Sequence, residues 1–275
     1  MKEHFRIYIY TAFVIFQSLH GFGQTQSLYA SDIKKSQDTS VTGVSERHAW
    51  HFLVEPYLMF PSMSGTAGIG NLPDVHVCVP ASAIFSHLTM GAMLYLEAHT
   101  DRFTISSDLF YASLKEEASG TKGFISGEAT LKELMWEIAS LYKVLPWLEL
   151  GAGARVMSIQ SGFELNVDSI VNSGPSTYSK TSTTSWVDPI IIARMKTIIG
   201  EKWILQLRAD IGGFGIGSQL TWQLQPDIVY RVSKLFQLGL GYRVLSIDYN
   251  KGTGDSRFLY DMDTYGPVIK LGFNF

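Results

Sequence analysis

From Trp50 to Phe275, apolar and non-apolar residues alternate with a period of two, segment after segment. That pattern calls for strands with one apolar face. The clearest run is Phe103–Tyr111, in which Thr104, Ser106 and Asp108 hold the second face. Trp203–Ile211 repeats it with Gln206, Arg208 and Asp210, and Leu220–Arg231 does so again. Ten such segments can be marked, near 50–60, 88–98, 103–113, 131–143, 147–159, 186–199, 203–212, 219–232, 236–249 and 258–275. Most have the roughly 9–11 residues that a tilted strand needs to cross a bilayer. Short connections (His99–Arg102, Val144–Pro146, Gly200–Lys202, Ser233–Leu235) follow the even segments, while mostly longer ones (61–87, 114–130, 160–185, 213–218, 250–257) follow the odd ones. Tight turns alternating with longer loops on an even strand count are what a membrane-spanning barrel requires. The expected fold is therefore all-β: a transmembrane antiparallel up-and-down β-barrel of about ten strands, eight being possible, with periplasmic turns and extracellular loops.

Charge placement follows the same rows. With the apolar row of each strand turned outward, the opposite rows carry Glu55, Glu97, Asp108, Glu137, Glu149, Arg155, Asp188, Arg194, Lys196, Arg208, Asp210, Asp227, Arg231, Arg243 and Lys270. The outward rows are expected to be free of Asp, Glu, Lys and Arg until the extracellular rim near Asp263. A lipid-facing Lys or Arg costs about 2–4 kcal/mol at the bilayer midplane, which accounts for the segregation. It also fits a chain with 17% charged and 13% aromatic residues, when an ordinary soluble domain has about 25% charged. A soluble β-sandwich would show the same alternation. The asymmetry of the connections, the N-terminal sequence and the aromatics favour the barrel. Trp50, Phe103, Tyr142, Trp147, Trp203, Tyr230, Phe236, Phe273 and Phe275 fall near the periplasmic strand ends, and Phe60, Tyr111, Trp186 and Trp222 near the others. Two aromatic girdles at headgroup level are the expectation.

Three stretches strain this pattern. Residues 129–143 place Leu131, Leu134, Met135, Ile138, Leu141 and Tyr142 at helical spacing, and taken alone would read as a helix. A strand is expected there because 147–159 needs a partner across the short turn. Val75–Leu96 carries no Asp, Glu, Lys or Arg, yet Pro80, His76, His87 and Gly91 argue against a membrane helix. Pro80–His87 reads instead as a short helical turn within the first extracellular loop. Pro56, Pro189, Pro226 and Pro267 sit inside strands, where each removes a ladder donor and bulges are expected to absorb them.

Residues 1–23 read as a cleaved secretory signal peptide. Lys2 and Arg6 open it, Ile7–Leu19 is apolar, and Gly21 and Gly23 precede a cut before Gln24. Residues 24–49 are rich in Ser, Thr, Gln and charge and read as a flexible periplasmic lead-in, leaving 50–275 for the barrel. A single cysteine excludes a disulfide framework and a Cys-cluster zinc site, and no metal or cofactor is called for. A net charge of −3 without a Lys/Arg run argues against a nucleic-acid partner.

The chain ends Val268-Ile-Lys-Leu-Gly-Phe-Asn-Phe275, with Ile269, Leu271, Phe273 and Phe275 on one face and an aromatic last. This resembles the C-terminal assembly signal of bacterial outer-membrane proteins. With the signal peptide and the turn–loop alternation, Trp50–Phe275 resembles a small outer-membrane β-barrel protein of Gram-negative bacteria, with no subfamily indicated. The resemblance implies insertion by the barrel-assembly machinery and residence among outer-membrane lipid and lipopolysaccharide. It carries no catalytic residues across.

Three functions stay open. The eight acids and seven bases of the inward rows pair into a closed polar core, giving a structural barrel. Alternatively Arg155, Arg194, Lys196, Arg208, Arg231 and Arg243 line a narrow passage or binding cavity for small solutes. A hydrolase or acyltransferase at the extracellular rim would draw on His76, His87, Asp248, Asp255, Asp261 and Asp263, but no spacing there marks a triad. Gly212–Gly217 lacks the Lys-Ser/Thr and following helix of a nucleotide loop and reads as a hairpin. Adhesion through the Ser/Thr-rich 160–185 segment is a further possibility.

Overall fold

The computed structural model describes residues 50–119, 125–167 and 176–275; the expected signal peptide and lead-in lie outside them. Among the described residues twelve strands follow one another: β1 (His51–Met59), β2 (Ser62–Ile69), β3 (Val75–Val79), β4 (Leu88–His99), β5 (Phe103–Ser119), β6 (Ile125–Leu145), β7 (Leu148–Val167), β8 (Ser176–Ile199), β9 (Trp203–Gly212), β10 (Leu220–Arg231), β11 (Phe236–Lys251) and β12 (Phe258–Asn274). Helix α1 (Ala81–His87) separates β3 from β4. Ten strands close in the order β1-β4-β5-β6-β7-β8-β9-β10-β11-β12, with β1 paired back to β12. All pairings are antiparallel, and closure runs from Leu53↔Asn274 to Met59↔Val268. Closing the sheet leaves the membrane-crossing part without an edge, the condition for a spanning β-structure.

Strands β2 and β3 extend the barrel at its loop end. β12 is long enough to hold both β1, along 268–274, and β2, along 258–265. The two are one strand broken at Phe60-Pro61. Gly266 permits the break: a Cβ there would lie 2.0 Å from the Phe60 carbonyl oxygen. β3 returns beside β2, and α1 then leads into β4 across a register shift between Leu88 and Met90. The segment expected as the loop 61–87 is therefore two strands and a helix. The helical turn itself is present at Ala81–His87. Ile84 is buried and Phe85 packs on Phe60 with ring centroids 5.0 Å apart. Likewise 114–130 and 160–185 are largely strand, because β5, β6, β7 and β8 keep pairing well past the marked segments.

The ambiguous 129–143 stretch is strand. β6 pairs with β5 from Phe103↔Tyr142 to Ser119↔Ser126 and with β7 from Ile125↔Val167 to Leu145↔Leu148. A helix there would satisfy its own backbone but strand the donors and acceptors of both neighbours, so pairing overrides the helical spacing. The four strand prolines need no bulges. All lie on the outward row, and pairing keeps one register through each, as between Val54↔Phe273 and Tyr57↔Lys270 around Pro56. The ladder skips a rung there and resumes.

The outward rows present Leu58, Leu96, Ile105, Ile138, Leu150, Ile191, Ile228, Leu240 and Ile269, all exposed. Lys132 of β6 also faces outward, but level with Ser113 and Gln160 at the loop-end rim. Trp50, Phe103, Tyr142, Trp147 and Trp203 are exposed at the turn end. Trp186 departs from the expected girdle. It is only 6% exposed because its side chain turns into the lumen.

Candidate functional site

Inside the barrel, strand register stacks the inward side chains into rows. One row runs Tyr95–Asp108–Glu137–Arg155–Asp188 across β4 to β8. The row beside it toward the loops is Met93–Phe110–Met135–Met157–Trp186. Two residues along each strand thus separate a charged layer from an apolar one.

Arginines crossing the lumen organise the charged layer. Arg155, fully buried, donates to Glu137 Oε2 at 2.9 Å, Asp210 Oδ1 at 2.7 Å and Thr221 Oγ1 at 3.0 Å. Arg208 donates to Glu137 and, at 3.2 Å, to Asp210. Arg243 of β11 reaches Asp108 of β5 at 2.7 Å, Gln225 at 2.6 Å and the Tyr57 hydroxyl at 3.1 Å, with the Tyr57 ring beneath its guanidinium. Tyr57 in turn donates to Asp108 at 2.7 Å. Toward the turn end, Arg194 of β8 donates to Glu97 of β4 and Glu149 of β7. Lys270 donates to Asp227 at 3.0 Å, and Gln237 to Glu55 at 2.8 Å. Asp188 accepts from the Trp186 indole at 3.0 Å and the Ser218 amide at 2.6 Å. Charge-assisted bonds of this kind, out of bulk water, hold their groups in fixed geometry.

Of the fifteen inward charges expected, Glu55, Glu97, Asp108, Glu137, Arg155, Asp188, Arg194, Arg208, Asp210, Asp227, Arg243 and Lys270 are buried in the lumen. Glu149, Lys196 and Arg231 are half-buried nearer the turn end. Ile269, Leu271, Phe273 and Phe275 lie exposed along the outward row at the end of the chain.

Sequence reasoning missed the apolar layer. Met59, Met63, Phe110, Met135, Met157, Ile159, Trp186, Leu245, Ile247, Tyr249, Tyr260 and Met262 form one buried cluster with Ile84 of α1. Trp186 stacks on Tyr249 at 4.0 Å between ring centroids. The available signal was the apolar residue that follows Asp108, Glu137, Arg155 and Arg243 on each inward row toward the loops: Phe110, Met135, Met157 and Leu245.

The rim residues considered for catalysis are partly brought together. Asp248, Asp261, Thr66 and His76 form one outward row across β11, β12, β2 and β3. Burial and the neighbouring Asp248 and Asp263 push the Asp261 carboxyl up from its ordinary range. His76 bonds back to the Gly65 carbonyl at 2.8 Å. Asp255 accepts from Asn71 at 2.6 Å, and His87 pairs with Glu116. Among the described residues no group of three or more His, Cys, Asp or Glu is set to hold a metal ion. At Gly213–Gly215 the glycine-rich segment turns with positive φ, at 84°, 50° and 76°, as a connection between β9 and β10.

No protein-family model and no curated protein sequence matches the chain. Solved structures do. The outer-membrane protease OmpT of Escherichia coli aligns over 86% of this chain and 99% of its own, at 8% identity and TM-score 0.50. The attachment invasion locus protein Ail of Yersinia pestis, in complex with sucrose octasulfate, covers 82% of this chain and 98% of its own at 9% identity and TM-score 0.31. The toluene transporter TodX of P. putida covers 82% and 89% at 9% identity and TM-score 0.33. At such identities the likeness concerns the fold, which is that of the outer-membrane β-barrels.

Proposed function

We propose that this chain, an outer-membrane β-barrel protein, is a sealed barrel whose activity resides at its two ends and not in passage through it. The observation that carries this is the lumen crossing itself. Arg243 bridges β11 to β5 and Arg194 bridges β8 to β4, each four strands apart around the closed ring. The Met- and aromatic-lined cluster closes the lumen a second time above them. Solute passage would require breaking buried, charge-assisted bonds and displacing packed side chains together. In the orientation that suits the fold, the four tight turns face the periplasm and β2–β3, α1 and the long hairpins face outward.

Purified protein in planar bilayers is expected to show no unitary conductance at high salt, and regular single-channel steps would refute sealing. Membrane fractionation tests the address separately, with the protein expected in the outer-membrane fraction and showing heat-modifiable gel migration.

A further inference from the structure

The turn end of the lumen is not filled. A cavity of about 720 Å³ opens there, with Leu53, Ile204, Val232 and Leu235 among its walls and Lys196 and Arg231 at its sides. Most inward charges are already engaged. Glu97, which also lines the cavity, accepts from Arg194 and from the Tyr95 hydroxyl at 2.6 Å, and Glu149 accepts from the same Arg194. Lys196 sits in the field of both carboxylates. Two carboxylates and two cations therefore balance around Arg194.

Arg231 is outside that balance. Its cross-strand neighbour on β11 is Gln237, whose amide is turned to Glu55. Among the described residues its guanidinium has no hydrogen-bonding or ion-pair partner, and it is half-buried beside an apolar wall. Lys202 and Lys234 add positive charge to the lining, and Glu201 is the acid that opposes them. A guanidinium taken partly out of water with its donors unused favours an anionic acceptor.

We propose that this vestibule binds an amphiphilic organic anion, its carboxylate or phosphate head held by Arg231 with Lys196 beside it, and its apolar body against Leu53, Ile204, Val232 and Leu235. The head gains a planar fork of donors, and the body leaves water. Such an anion is either a soluble periplasmic metabolite or the headgroup and proximal chain of an anionic lipid.

The probes are decanoate and, as its neutral counterpart, decanol, titrated calorimetrically into full-length protein in zwitterionic-lipid nanodiscs. Decanoate is expected to bind saturably at one per barrel, with decanol at least tenfold weaker. Arg231→Gln is expected to weaken decanoate at least tenfold, and Lys132→Gln, at the opposite rim, less than threefold. Heat-modifiable migration checks that each variant is folded. Adding phosphatidylglycerol to the nanodiscs separates the sources: competition points to a lipid occupant, and undiminished decanoate binding to a soluble one. Decanoate uptake no greater than in empty nanodiscs, or unchanged by Arg231→Gln, overturns the proposal. Neither result bears on whether the barrel conducts.

Discussion

Arg155 offers a direct test of how the lumen is held. It is fully buried and donates to three partners from three other strands: Glu137 on β6, Asp210 on β9 and Thr221 on β10. Arg155→Met keeps much of the volume but removes those donors. Glu137 and Asp210 are then left to share Arg208 alone, two buried carboxylates on one guanidinium. Breaking a buried ion pair by removing one partner costs about 3–5 kcal/mol, because the surviving charge stays buried and uncompensated. The expected loss for Arg155→Met is therefore about 3–5 kcal/mol. Arg155→Met with Asp210→Asn restores the charge count and leaves Glu137 with Arg208. A pair replaced by neutral groups is often close to neutral in stability, so the double variant is expected to recover at least half of the loss. The coupling from this cycle should exceed about 1 kcal/mol, in the range for residues in one network. Urea unfolding in lipid vesicles, followed by tryptophan fluorescence and gel migration, gives all four corners. If Arg155→Met costs less than about 1 kcal/mol, or if the double variant is no better than the single, the carboxylates are not held as described.

Other consequences are equally checkable. Ile191, 58% exposed on the outward row of β8, should lose about 2–4 kcal/mol in vesicles when changed to Lys, while Ser185→Lys at the rim should cost about 0–1; equal effects would contradict the outward assignment. Gly153→Val should destabilise the barrel by about 1–3 kcal/mol or more, because a Cβ there lies 2.3 Å from the Ile138 carbonyl oxygen; unchanged unfolding would show that β6 and β7 can separate. At the loop-end rim, Arg257 donates to both Asp74 oxygens, at 2.6 and 2.9 Å, and these bonds hold the carboxyl below its usual range. A lowered acid contributes above its unfolded value and loses that contribution as pH falls through the folded one. Protection of the Gly70 amide, bonded to the Arg257 carbonyl at 2.7 Å, should therefore fall only in strong acid; protection independent of pH would remove the strap. His87 faces Glu116 through Nε2 and the Ala83 carbonyl through Nδ1 at 2.7 Å, so His87→Leu should raise proteolysis within 81–87 without changing global unfolding; unaltered cleavage would mean that Ile84 alone seats α1.

The barrel was legible in the sequence because lipid enforces a simple rule along every outward row. A charge at Ile191 or Ile228 is costly whatever its neighbours are, so one strand read alone already shows its phase. The interior obeys no such local rule. Trp186 shares its row with Asp188 and Arg194, but only its register with Met157 and its stack on Tyr249 show that it joins an apolar layer and not a girdle. The β1–β2 break at Phe60-Pro61 depends on the length of β12, some two hundred residues away, which no local pattern encodes. The same limit governs the candidate site. Arg155, Arg194, Arg208, Arg231 and Arg243 are equivalent inward arginines to a reader of the sequence. Four of them are taken by carboxylates, Arg155 by Glu137 on the neighbouring strand and Arg194, Arg208 and Arg243 by acids further round the ring. Arg231 faces Gln237, whose own amide is committed to Glu55, and so it is left over. A binding site of this kind is a remainder: it exists where the arginine–carboxylate network stops, and it can be read only after the other inward arginines have found their partners.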